Sequence, residues 1–274
     1  MILEQSEHII HEVKKVFIGK DDTIRRVLTT IYAGGHILLE DCPGVGKTTL
    51  ALAFSRALGL DYRRIQFTTD TLPSDITGFT MYNTQTGKFE YRSGATNCNL
   101  LLADEINRTS PKTQSALLEA MEERSVTVDG VTHRLPNPFI CIATQNPIGT
   151  SGTQALPESQ MDRFMVRLSI GYPSDEDQLK ILRTRKYTNP LDNIQVVSGA
   201  ENIVDIQNYL STMTMSDEVL YYLIHLCEAT RQDAMVDLGV SPRGVLALTQ
   251  MARAHAMLEE RSYVIPEDVQ ATFE

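Results

Sequence analysis

Two short stretches hold residue types that could do chemistry on a phosphate ester. The first is Gly44-Val45-Gly46-Lys47-Thr48. The pattern G-x-x-x-x-G-K-[ST] forms a loop whose backbone N–H groups surround phosphates. Such a loop would bring Pro43, Gly44, Val45, Gly46, Lys47, Thr48 and Thr49 to a nucleotide. Lys47 would meet the β- and γ-phosphates, and the Thr48 hydroxyl would meet Mg2+. Glycine at 44 and 46 lets the backbone come close without a Cβ. The second stretch, Leu100-Leu101-Leu102-Ala103-Asp104-Glu105, is an apolar run ending in two carboxylates. Ligands of open α/β sheets bind at the carboxyl ends of strands. Asp104 would hold Mg2+, directly or through water, and Glu105 would activate the attacking water as general base. Each stretch has a bland alternative: a glycine turn before a helix, or a buried strand ending in acids. In one chain, in this order, they point to nucleotide hydrolysis.

One position departs from the pattern. It asks for glycine at 41, and this chain has Asp41. Asp is among the few side chains that tolerate a positive φ. Its charge opposes phosphate binding unless the side chain turns away or caps a backbone N–H.

Periodicity shows which elements would position these residues. Ile9, Ile10, Val13, Val16 and Phe17 recur at helical spacing over 2–17, and Gly19 ends that segment. A second helix over 21–33 stops at Gly34-Gly35. His36-Ile37-Leu38-Leu39 has the profile of a buried parallel strand, so the loop follows a strand. After Lys47 a helix runs through Leu50, Ala53, Phe54 and Ala57 to Gly59. Apolar bursts at 65–67, 100–103, 139–143 and 164–170 alternate with helical stretches. The pattern predicts an α/β fold, a parallel five-stranded sheet flanked by helices. Ser110-Pro111 opens a helix over 111–124, and Asp129-Gly130 predicts a hairpin over 125–134.

After Tyr172-Pro173 the patterns are helical only, at 175–187, 203–211, 216–235 and 241–260. Two units are predicted: an α/β nucleotide-binding core over 1–173 and an all-α lid over 174–274. Pro266-Glu267-Asp268-Val269 opens a further helix, expected to be incomplete, and Ile265 stands where a Ser or Thr cap is usual.

The 274 residues are 42% hydrophobic and 22% charged, with net charge −10 and pI near 5.1. That balance argues against a broadly basic nucleic-acid surface. No apolar run approaches the ~20 residues that span a bilayer. Cys42, Cys98, Cys141 and Cys227 form no C-x-x-C and are expected to be reduced thiols of a cytoplasmic protein. Cys42, inside the loop, reads as an inert small side chain, with oxidation as the alternative. His8 and His11 have no third ligand and read as surface residues.

The chain resembles the MoxR family of AAA+ ATPases from about residue 5 onward. The likeness rests on Asp104-Glu105-Ile106-Asn107-Arg108 with Pro111–Met121, and on Arg64–Thr68 with Leu72–Gly78. It rests also on Ala143-Thr144-Gln145-Asn146-Pro147, Leu156-Pro157-Glu158, Met161-Asp162-Arg163-Phe164 and Ser241-Pro242-Arg243. The resemblance implies an AAA+ P-loop NTPase core with ATP/ADP and Mg2+, and makes Asp41 a family feature. Asn146 is similar to sensor 1, Arg163 to the arginine finger that reaches a neighbouring subunit's site. Arg243 is similar to sensor 2, facing the γ-phosphate of its own subunit. Val16–Gly19 resembles the segment around the adenine, which adds Gly19 to the nucleotide-binding set. The hairpin at 125–134 and the insert at 76–97 resemble elements that face a central pore. The resemblance further implies a homo-oligomeric ring, a hexamer, that remodels or activates a client protein with a von Willebrand factor A domain partner. The alternatives are a DNA-associated translocase, disfavoured by the charge, and a slow nucleotide-gated switch.

Overall fold

The computed structural model describes residues 2–146, 156–184 and 189–273. Pro147 and the expected helix end at 185–187 lie outside the described residues.

The five apolar bursts form five strands: β1 (Ile37–Glu40), β2 (Tyr62–Gln66), β5 (Leu100–Asp104), β8 (Ile140–Gln145) and β9 (Val166–Leu168). They make one sheet in the order β2-β5-β8-β1-β9, and every pairing is parallel. The central strands are apolar up to their carboxyl ends, over 37–39, 100–103 and 140–143, because both faces are covered. Leu39, Leu100, Leu102, Ile140 and Ile142 enter one core. Leu38, Leu101, Ala103, Cys141 and Ala143 enter the other. Leu38 and Leu39, neighbours in sequence, are both fully buried on opposite faces. Each contributes roughly 1.5–3 kcal/mol of burial.

The first face is covered by α1 (Ile2–Lys14), α2 (Asp21–Tyr32) and α3 (Lys47–Ala57). The second is covered by α5 (Pro111–Glu123), whose N-cap Ser110 accepts from the Thr113 N–H at 3.3 Å. A short α4 (Pro73–Thr77) leads into the hairpin β3 (Phe79–Asn83) and β4 (Lys88–Arg92). The expected hairpin at 125–134 is β6 (Ser125–Val128) and β7 (Val131–Arg134). Asp129 and Gly130 both take positive φ, as a tight two-residue turn requires.

A one-turn α6 (Glu158–Met161) precedes β9, and α7 (Asp175–Thr184) follows it. Then come α8 (Ala200–Thr212), α9 (Asp217–Gln232), α10 (Pro242–Leu258) and α11 (Pro266–Thr272). Ile203, Leu210, Leu223, Leu248 and Ala252 of these helices join the same apolar cluster as Ile9 and Ile24 of α1 and α2. The missing Ser or Thr cap of α11 is made up by Asp268, whose carboxylate accepts from the Ile265 N–H at 2.9 Å. The fold is therefore an α/β core with a parallel five-stranded sheet, followed by a helical lid.

Candidate functional site

In a parallel sheet all carboxyl ends share one edge. The order β5-β8-β1 sets Asp104, Asn146 and the loop after β1 side by side there. Strand alternation then selects a face. Leu100 and Leu102 point into the cluster that α3 covers, and Asp104 continues that row. On β8, Ile140, Ile142 and then Thr144 do the same.

The loop itself runs from Asp41 to Gly46. Gly46 has φ +99, and a Cβ there would come within 3.2 Å of the Phe17 ring. Only glycine meets both conditions cheaply. Gly46 also caps α3 without a side-chain bond. The first N–H groups of α3 thus remain available to an anion. Lys47 is 7% exposed. Its Nζ donates to the Asp41 carbonyl at 2.7 Å and faces Asn146 Oδ1 at 3.4 Å. Burial pulls the Lys47 pKa below the ordinary lysine value, although Asp104, Asp41 and Glu105 all push it up.

Asp41 does not take a positive φ. Its carboxylate accepts from the Ile170 N–H, from the Gly171 N–H at 3.2 Å and from Ser169 Oγ at 3.2 Å. The negative charge is thus spent on the chain leaving β9, while the Asp41 carbonyl holds Lys47. The glycine of the usual pattern has been replaced by a side chain that braces the loop.

Glu105 sits in the left-handed region, at φ 59 and ψ 47. For a non-glycine residue this costs of order 1–3 kcal/mol and gathers at functional sites. Glu105 Oε1 accepts from Asn146 Nδ2 at 2.9 Å, and Oε2 accepts from Arg108 Nη1 at 3.0 Å. Partial burial raises the Glu105 pKa, but the bonds from Asn146, Arg108 and Gln66 outweigh it and hold the carboxyl below its ordinary value. Asn146 therefore touches both Lys47 and Glu105.

Asp104 accepts from Thr144 Oγ1 at 2.7 Å and from Arg64 Nη2 at 2.7 Å. Thr48 is half-buried at the start of α3. Among the described residues no group of three or more His, Cys, Asp or Glu could cage a metal. One carboxylate and one hydroxyl fit Mg2+, which takes few protein ligands and completes its shell with phosphate oxygens and water.

Beside the loop lies a cavity of about 310 Å³. Val16, Phe17, Ile18 and Lys20 line one side, and Gly44, Val45, Gly46 and Thr49 line the floor. Ile170–Pro173 and Gln178, Ile181 and Leu182 of α7 close it. The size and apolar walls suit a nucleoside. Gly19 is not in the wall. It has φ +79 and packs against Asp177, so it turns the chain that carries Phe17 and Lys20. Pro43 is exposed on the rim of the loop. Which helix would form this wall was not legible in the sequence, because an exposed amphipathic helix gives no local sign of what it faces.

Arg163 and Arg243 lie elsewhere. Both pair with Glu122 of α5, Arg163 Nη1 at 3.3 Å. Ser241 Oγ donates to Asp162 at 2.6 Å and accepts from the Gly244 N–H, which fixes the start of α10 beside Arg163. The two arginines line one cleft of about 260 Å³ with Gly34, Gly35 and His36, which precede β1. The loop follows β1, so the cleft and the loop lie at opposite ends of that strand. Arg243 was expected on the γ-phosphate of its own chain. The structure instead sets it next to Arg163, because α10 packs across α2 and α8 and starts beside Gly34–His36, which precede β1. The roles of Arg64, Arg108 and Glu122 also escaped sequence reading, since each depends on a partner from another element.

A phosphate loop after β1, with a carboxylate pair two strands away and a polar strand end between them, is the arrangement of a P-loop ATPase. The family model described as "ATPase family associated with various cellular activities (AAA)" matches residues 36–166, and the model for the AAA lid domain matches residues 228–274. The uncharacterized protein YeaC of Bacillus subtilis is 48% identical over 95% of this chain and 82% of its own. Chaperone MoxR1 of Mycobacterium tuberculosis is 39% identical over 96% of this chain and 72% of its own. A crystal structure of a candidate ATPase from Cytophaga hutchinsonii superposes with a TM-score of 0.89 at 39% identity, over 98% of this chain and 84% of that one. This chain belongs to the MoxR family of AAA+ ATPases.

Proposed function

We propose that this protein hydrolyses ATP with Mg2+ as a homo-oligomeric ring and couples each turnover to remodelling of a client protein. The observation that carries the reading is Asn146, bonded to Glu105 and facing Lys47 beside Asp104. That cluster joins the group that would hold the γ-phosphate to the base that would deprotonate water. Held by Thr48 and Asp104, Mg2+ would supply neutralisation of the charge that develops on the transferred phosphoryl group. The chain's own part is then positional. The loop and Lys47 hold the phosphates in line, Thr48 and Asp104 present oxygen to the metal, Asn146 orients the water, and Glu105 Oε1 takes its proton. With its pKa held low, Glu105 is a carboxylate at neutral pH and can accept that proton.

The strand geometry supports a second copy of the chain as part of the site. β1 has four residues and spans about 13 Å. Arg163 and Arg243, beyond its amino end, would serve a neighbour's phosphate rather than their own. An arginine there stabilises the transferred phosphoryl group. The ring is taken as a hexamer, and the division of the chain at 173/174 as the hinge between core and lid. The hairpins would meet the client. Phe89 of β4 is 74% exposed, and Phe79, Tyr82 and Val131 are exposed with it. Tyr91 stacks on His133 at 3.8 Å and joins the two hairpins. A von Willebrand factor A domain partner and a cytoplasmic setting complete the reading. Among the described residues no helix is long and apolar enough to cross a membrane.

The test is Mg2+-dependent ATP hydrolysis per protomer as a function of protein concentration, with Glu105→Gln as control. A specific activity that climbs to a plateau, and is lost in the control with nucleotide binding kept, is expected. Stimulation by DNA with a steep salt dependence would favour a nucleic-acid motor instead.

A further inference from the structure

We infer that Thr144 is a positioning residue whose hydroxyl ties the carboxylate of Asp104 to the backbone of Glu105, so that the base is aimed by the group that would hold the metal. Thr144 is fully buried. Its Oγ1 accepts from the Glu105 N–H at 2.9 Å and donates to Asp104 Oδ1 at 2.7 Å. The direction is forced. An amide N–H can only donate, and the hydroxyl has one proton, so that proton goes to the carboxylate.

The strand ladder explains why a side chain is needed here. The β5–β8 pairing ends at Ala103 and Ala143. One residue on, Asp104 and Thr144 point to the same face, and Glu105 has already turned to φ 59. Its N–H has left the ladder, and the Thr144 hydroxyl takes the place of the next carbonyl. Threonine suits the position because its β-branch restricts χ1 in a strand. Two residues further along the chain, just past the end of β8, Asn146 holds the Glu105 carboxylate. Glu105 is thus gripped at its backbone and at its side chain from the carboxyl end of β8, and Asp104 feels the same grip. A cation drawn to Asp104 would pull on Thr144 and, through it, on the turn that presents Glu105.

The inference rests on the ATPase reading and is tested apart from it. In the full-length chain, Thr144→Val keeps the shape and removes the hydroxyl, and Thr144→Ser restores the hydroxyl. For Thr144→Val we expect kcat to fall about 30-fold or more with KM for ATP within about threefold. Without nucleotide, hydrogen exchange at the Glu105 amide should quicken about tenfold or more while Ala103 is unchanged. Thr144→Ser should recover most of kcat and the slow exchange. Binding of fluorescent ADP without Mg2+ should match wild type, and the gain on adding Mg2+ should shrink in Thr144→Val only. A Thr144→Val protein with wild-type kcat, unchanged Glu105 exchange, or a Ser variant no better than Val would each overturn the inference. If Val does not fold, Thr144→Ala against Thr144→Ser makes the same comparison. A wild type without turnover at any concentration would sink the ATPase reading, and the exchange result would then decide alone whether Thr144 holds Glu105.

Discussion

Asn146 donates through Nδ2 to Glu105 Oε1 at 2.9 Å, and its Oδ1 faces Lys47 at 3.4 Å. The amide thus links the proposed base to the lysine of the phosphate loop. Removing it with Asn146→Ala should leave nucleotide binding near wild type and lower kcat by about 10²-fold. The Asn146 bond lowers the Glu105 pKa, so its loss should raise that pKa. The acid limb of the kcat profile should move to higher pH. A profile of unchanged shape would remove Asn146 from the tuning of the base.

The shared cleft of Arg163 and Arg243 makes a sharper claim than either residue alone. Arg163→Ala should lose about a thousandfold in turnover and still bind ATP. Mixed with Glu105→Gln, it should recover activity, because some interfaces then join an intact Glu105 to an intact Arg163. Arg243→Ala should be rescued in the same way. Rescue of Arg163→Ala without rescue of Arg243→Ala would return Arg243 to its own chain's nucleotide.

Restoring the glycine of the common loop pattern should do harm here. Asp41→Gly removes the acceptor of the Ile170 and Gly171 N–H groups. Leaving such groups unpaired costs about 1–3 kcal/mol. The melting temperature should fall about 3–8 °C. Nucleotide affinity should not improve. A variant as stable as wild type would mean that water satisfies those amides equally well.

His36 brings a pH dependence of stability. It is buried, its Nδ1 accepts from the Cys141 N–H at 3.0 Å and its Nε2 lies 3.1 Å from the Met121 carbonyl. Burial, with the Arg124 charge, pushes its pKa down to about 4 from 6.5. Between those values the unfolded chain binds a proton that the folded chain refuses. The stabilisation is complete above about pH 6.5 and falls away toward pH 4, by on the order of 3 kcal/mol. Denaturant unfolding of wild type and His36→Gln at pH 7 and 4.5 checks this. The variant should lose less stability on acidification, and equal losses would contradict it.

The residues that could be read without a fold are those whose signal is local. Lys47 stands out because a strand, a glycine loop and a helix follow one another within a few residues. Asp104 and Glu105 stand out because an apolar run ends in them. The five strands, most of the helices and the Asp129-Gly130 turn follow from periods of 2 and 3.6 and from turn chemistry, which act between near neighbours. The hairpin at 79–92 gave no such sign, since its apolar residues are largely exposed and answer to no core. Tertiary structure alone decided what Asp41 does, for its acceptor role depends on Ile170, 129 residues away, arriving beside β1. It decided likewise that Thr144 meets Asp104, and that Arg243 joins Arg163 at the far end of β1 instead of meeting its own phosphate loop. Those outcomes hang on strand order and on which helix packs across which, and both are set by burying two faces of one sheet at once.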